Sequence, residues 1–149
     1  MATTINADTV TGGAIVTADA SGDLGLQAAG TTLVTLSGSA MVVNKSYTET
    51  RYTANSSTAI TLNLDNGTMQ DITLTGSPTI TMPTAASGKS FLLMLRTGTG
   101  SFTVTWSTVK WSGGTAPTLT STASRMDIFS FFSDGTNWYG VTVGQNYTP

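Results

Sequence analysis

Residues 89–96 read KSFLLMLR, and the way those side chains point decides the class of the chain. In an extended strand, neighbours alternate across the pleat. Phe91, Leu93 and Leu95 therefore share one face, and Leu92 and Met94 share the other. A strand that is apolar on both faces is expected to be covered on both sides, which makes it the central strand of a small sandwich or barrel. Downstream, Phe102, Val104 and Trp106 alternate with Thr103 and Thr105. Residues 126–133 (MDIFSFFS) read as another apolar strand closed by Asp134-Gly135, and residues 138–143 (WYGVTV) pair back on it. Between these lies the longest connection, residues 107–124, carrying Lys110-Trp111, Gly113-Gly114 and Pro117. Connections of that length often serve function or cross between sheets.

Working back from the central strand, Ile60, Leu62 and Leu64 alternate with Thr61, Asn63 and Asp65. Asn66-Gly67 follows, a hairpin signal because both residues tolerate positive φ. Ile72 and Leu74 lie inward on the return, Gly76-Ser77-Pro78 turns again, and Ile80 and Met82 continue until Pro83 ends the ladder. These strands predict a meander with one wet face. The expected fold is all-β: an antiparallel β-sandwich, jelly-roll-like, of about seven strands over residues 58–149. Residues 47–57 (YTETRYTANSS) read as a linker.

Residues 1–46 have a different texture. They hold no aromatic residue, and short apolar steps at 14–17, 24–27, 32–36 and 41–43 are separated by Gly, Ala, Ser and Asp. Strands this short cannot bury a core alone. The segment is therefore either a flexible arm or an extended arm of short strands ordered by partners, and the second reading is preferred. Its candidate contacts, with sister subunits or with a larger host surface, are Ile5, Ile15, Val16, Leu24, Leu26, Leu33 and Leu36.

Only 9% of the 149 residues are charged, against about 25% in average soluble proteins. The net charge of −2 gives little repulsion against self-association. Disorder does not follow, because β-branched residues run throughout. The basic residues stand singly at Lys45, Arg51, Lys89, Arg96, Lys110 and Arg125, so nucleic acid is not an expected partner. No apolar run approaches the roughly 20 residues that span a bilayer, and MATTINADTV lacks the basic and apolar regions of a signal peptide. Membrane association is not expected.

His and Cys are both absent, which removes the usual bases, thiol nucleophiles and zinc ligands. Asp65 and Asp134 belong to turn sequences, while Asp71 and Asp127 read as strand-end residues on wet faces. Asp19 and Asp23 fall short of a calcium loop. No catalytic residue, metal site or cofactor is expected. Trp106, Trp138 and Tyr139 continue apolar strand faces and read as core. Trp111 differs: it follows Lys110 in a Gly-rich stretch, making Lys110 and Trp111 the candidate exposed contact loop for a sister subunit or a glycan.

The opening MATTINAD, the segment ADASGDLGLQAAGTT and the stretch VKWSGGTAPTLTSTASRMDIFSFFSDGTNWYGVTVGQNY resemble structural proteins of tailed bacteriophages. The first is similar to the N-termini of tail-fibre and virion accessory proteins, and the last to a β-rich domain of tail fibres and head-decoration proteins. The resemblance implies a homotrimer in the virion. The chain is then a non-enzymatic capsid decoration (cement) protein on the outer surface of the head, bound to the major capsid protein through its N-terminal arm. The alternative is a short tail fibre or fibre tip that joins tail proteins and recognises host surface glycans.

Overall fold

A computed structural model describes residues 22–149. Ile5, Ile15, Val16 and the short strand expected at 14–17 lie outside the described residues. Contacts divide the chain into two units, with the boundary between Thr48 and Glu49.

In the first unit, Ala29 and Gly30 both adopt positive φ, 48° and 75°, as a two-residue type I′ turn requires. They reverse the chain between β1 (Leu24–Ala28) and β2 (Thr31–Leu36). A second turn is closed by Ser37 N–H donating to Ala40 O at 2.9 Å, with Ala40 N–H donating to Ser37 Oγ at 3.1 Å. It leads into β3 (Met41–Val43). The three strands form an antiparallel meander in chain order. None of the described residues of this unit is buried.

The second unit takes a path the alternation does not reveal. Its strands are β4 (Arg51–Ser56), β5 (Ala59–Thr61), β6 (Met69–Leu74), β7 (Thr79–Thr81), β8 (Ser90–Thr97), β9 (Thr105–Trp106), β10 (Val109–Trp111), β11 (Arg125–Ser133) and β12 (Trp138–Tyr147). One sheet has the order β10-β12-β11-β8-β6-β4 and a smaller one the order β5-β7-β9. From β4 to β9 the chain alternates between the sheets, and each strand lies parallel to its predecessor in the same sheet. Arg51 sits beside Met69, and Met69 beside Leu92. This is a coil with a repeat of roughly twenty residues per turn, in the range solenoids use.

The antiparallel meander and jelly-roll path expected from the sequence are thus replaced. Only the β8–β11 and β11–β12 pairs are antiparallel in this unit, while β10 joins β12 in parallel. Eight strands, β5 to β12, stand among residues 58–149, where about seven are expected. β4 occupies much of the expected linker. The all-β class and two sheets around one core remain.

Asn66-Gly67 explains the difference. Residues Leu64–Asn66 form a single 3₁₀ turn, with Asp65 N–H donating to Asn63 Oδ1 at 3.0 Å and Gly67 N–H to Leu64 O at 3.0 Å. Gly67 has φ 129°, and a Cβ there would lie 2.1 Å from Thr50 O. Glycine is needed at this position for backbone-to-backbone contact between turns of the coil. Buried Gln70 secures the corner by donating through Nε2 to Asn63 O and Gly67 O. The turn redirects the chain into the large sheet instead of folding it back on β5.

Side chains inside the coil stack in rungs: Tyr52–Gln70–Leu93, Ala54–Ile72–Leu95 and Ile60–Ile80–Trp106. Phe129 and Phe131 extend the same interior across β11, opposite Leu93 and Phe91. Phe91 stacks on Phe131 with centroids 4.9 Å apart and meets Trp138 edge-on at 5.2 Å. Trp138 satisfies its indole by donating to Pro83 O at 2.7 Å. The inward face of β8 is covered as expected; Leu92 and Met94 on its outer face are only half-buried.

Candidate assembly interface

Strand pairing decides which residues of the first unit act together. Leu24 pairs with Leu36 and Leu26 with Val34, while Val34 also pairs with Val43 and Leu36 with Met41. Directly paired residues point to the same side of a sheet. One face is therefore built from Leu24, Leu26, Val34, Leu36, Met41 and Val43, all apolar. Met41 is 69% exposed and Leu26 49%. The opposite face carries Thr35, Leu33 and Val42, with Asn44 Nδ2 donating to Thr35 Oγ1 at 3.0 Å.

Three of the contact residues expected from sequence, Leu24, Leu26 and Leu36, thus converge on the apolar face, and Leu33 lies on the other. Val34, Met41 and Val43 complete the face. The signal for them is parity across the two hairpins, legible once Ala29-Gly30 is read as a two-residue turn. Leu26, Met41 and Val43 are exposed on this face, and Leu24, Val34 and Leu36 are half-buried, so the face can bury further apolar area.

Lys110 and Trp111 need correction. They belong to β10, paired with Tyr139 and Gly140, and only Lys110 is exposed. Trp111 is half-buried, meeting Trp106 edge-on at 5.1 Å and the rings of Phe129 and Phe131 at 6.0 and 5.7 Å. It packs the open end of the core beside Gly140, and its remaining surface lines an open cleft of about 270 Å³ with Pro117 and Val141.

Asp71 and Asp127 are also misread by the alternation, since both are buried. Asp71, on the outer face of the large sheet, receives Arg96 Nε on Oδ1 at 2.7 Å and Arg96 Nη2 on Oδ2 at 2.9 Å. Arg51 Nη2 adds a contact at 3.1 Å. The hydrogen bond to Asp71 raises the Arg96 pKa above its ordinary value, with burial opposing. Around this group lies an open cleft of about 320 Å³ lined by Thr53, Asn55 and Thr73 with the two arginines.

Asp127 points the other way, since it pairs with Leu95 whereas Asp71 pairs with Met94. The two carboxylates therefore lie on opposite faces and form no acid–base pair. Burial pushes the Asp127 pKa up, but N–H groups of Thr120 (2.8 Å) and Asn146 (2.9 Å), the Thr120 hydroxyl (2.8 Å) and Gln145 Nε2 (3.0 Å) hold it below the ordinary value. It ties the long connection to the end of β12. Asp134 caps its turn by accepting from Asn137 and Thr136 N–H, which with the Tyr139 hydroxyl draws its pKa down to about 2. Among the described residues no cluster of acidic side chains could hold a metal ion, and no helix is long and apolar enough to cross a membrane.

No protein-family model, no curated protein and no solved structure matches the chain.

Proposed function

We propose that this chain is a non-enzymatic structural protein of a tailed-phage virion, a homotrimeric capsid decoration protein that binds the major capsid protein through residues 1–48. The observation that carries the reading is the uncovered apolar face of Leu24, Leu26, Val34, Leu36, Met41 and Val43, in a unit with no buried residue among those described. Such a sheet has no interior of its own and gains one only against another surface. That face exposes on the order of 300 Å² of apolar side chain, so covering it contributes about 7 kcal/mol at ~25 cal/mol per Å². Association itself costs about 4–15 kcal/mol. One face is marginal; three held in a trimer are not, because the second and third contacts become intramolecular. The resemblance to virion proteins supplies the phage assignment, and the sparse charge suits a molecule flanked by copies of itself. The purified chain is expected to co-sediment with expanded capsids stripped of accessory proteins, and failure to bind at micromolar concentration overturns the reading.

A second reading, a short tail fibre that recognises host surface glycans, draws on the cleft of Arg51, Thr53, Asn55, Thr73 and Arg96. Its hydroxyl, amide and guanidinium groups suit a polyhydroxylated or acidic sugar. Arg51→Ala is then expected to reduce adsorption to host cells without changing oligomeric mass; unchanged adsorption counts against it.

A further inference from the structure

We infer that the outer face of the six-stranded sheet is a second self-association surface, occupied by another copy of this chain. The inference rests on the assembly reading above but on different residues. Pairing places Leu92, Ser130 and Val141 in one outward row, with Met94 and Ile128 in the next and Phe132 beside Tyr139 on the other side. Phe132 and Tyr139 stack at 5.1 Å with planes 13° apart, yet Phe132 remains 51% exposed. Val141 is 51% exposed and Val143 55%.

The patch has the anatomy of an interface, an uncharged centre with polar groups at its edge. Lys110 stands beside Tyr139 at one margin, and the Arg51–Asp71–Arg96 group, with one positive charge in excess, stands at the other. Half of an aromatic side chain is about 100 Å². Summed over Phe132, Val141, Val143 and Tyr147 with smaller parts of Leu92, Met94 and Ile128, the patch presents on the order of 500 Å² of apolar surface. At the usual apolar share, that is the centre of an interface of about 800 Å² per partner, the standard size for a specific complex. A centre without charge offers a foreign partner nothing to select by charge. Its apolar area is enough to seat the same face of a second copy, in a chain whose net charge of −2 scarcely opposes like-to-like contact.

The strand edge beside the patch points the same way. β12 runs from Trp138 to Tyr147, but β10 covers only Trp138 to Gly140. From Val141 onward no strand pairs with that edge among the described residues, and the long connection runs near it, with Gln145 Nε2 donating to Thr118 O at 2.7 Å. A strand edge that is only partly paired and flanked by an apolar face can be extended by another chain.

The test is sedimentation velocity of the full chain and of Val141→Lys, at matched concentrations with far-UV circular dichroism as the folding control. The native chain is expected to sediment as an oligomer. Val141→Lys is expected to fall to a smaller species while staying folded, its dissociation constant raised at least about 100-fold by a charge stranded at the interface centre. Thr61→Lys, at an exposed position on β5 of the smaller sheet, is expected to keep native mass. If Val141→Lys does not fold, Phe132→Ser on the same face gives the same reading. A folded variant of native mass overturns this inference and leaves the assembly reading standing. A monomeric native chain overturns both.

Discussion

Replacing Gly140 with alanine drives a methyl group into the ring of Trp111. An ideal Cβ on Gly140 lies 2.5, 2.7 and 2.9 Å from Trp111 Cζ3, Cη2 and Cε3, whereas carbon atoms rest at about 3.5–4.0 Å. The ring must retreat by about 1 Å. Its path is blocked, since Trp106 and Phe131 stand 5.1 and 5.7 Å away, centroid to centroid. Trp111 Nε1 has no hydrogen-bond partner among the described residues, so packing alone sets where the ring sits. Forcing extra volume into such a site costs about 1–3 kcal/mol. Alanine for glycine within a strand otherwise gains about 0.5–1 kcal/mol, so a net loss identifies the clash. For a domain of about 100 residues the expected fall in Tm is roughly 5–15 °C, read at fixed protein concentration because an assembling protein melts in a concentration-dependent way. The decisive measurement is the double-mutant cycle in urea. With Trp111→Ala in the background the obstacle is gone, and Gly140→Ala is expected to stabilise by about 0.5–1 kcal/mol, giving a coupling of about 1–3 kcal/mol. Equal penalties in both backgrounds would refute the placement of Trp111 over Gly140.

Other expected outcomes follow from the same structure. Asp127 is held below its ordinary pKa, so its stabilising contribution is complete above the unfolded carboxylate value of about 3.9 and is lost as pH falls through the folded value. The urea midpoint is expected to hold from neutral pH to about 5 and fall below about 4; Asp127→Asn should flatten part of that fall, and an unchanged profile would refute the role. Gly67→Ala, with its Cβ 2.1 Å from Thr50 O, is expected to lower stability by more than about 1 kcal/mol, read as a shifted midpoint at constant slope. Neighbouring residues of β3 separate the two faces of the first unit: Val43→Lys is expected to weaken capsid binding, whereas Val42→Lys, on the opposite face, is expected to be nearly silent in the same co-sedimentation assay.

Alternation along the chain was enough to reveal strands and which side of each is wet, but it carries no sign for direction. Ile60, Ile72, Leu74 and Ile80 alternate in the same way whether their strands run as a meander or as turns of a coil, because both leave one face inward. Asn66-Gly67 then tips the reading toward a hairpin, when the need at Gly67 is for space against Thr50. By contrast, Asp134-Gly135 sits between two long strands, and there the hairpin of β11 and β12 forms as the turn residues indicate. Asp71 and Asp127 were illegible for another reason. Arg96 for Asp71, and Gln145 and Asn146 for Asp127, come from other parts of the chain, and nothing local marks a carboxylate that is satisfied at a distance. The apolar face of the first unit was half legible: Leu24, Leu26 and Leu36 stood out as large side chains, while Val34, Met41 and Val43 joined them only through the pairing of strands.

The coil also sets a rule for how this domain can change in length. Its β8 end is closed by the antiparallel pair β11 and β12, while at the other end β4 is an edge of the sheet. A duplication of one whole turn would slot in without disturbing the aromatic end, adding one strand spacing of about 4.8 Å. Insertions of any other length would throw the rungs out of alignment. Descendants of this sequence should therefore differ in reach by whole steps, as a ladder does, and not by continuous stretching.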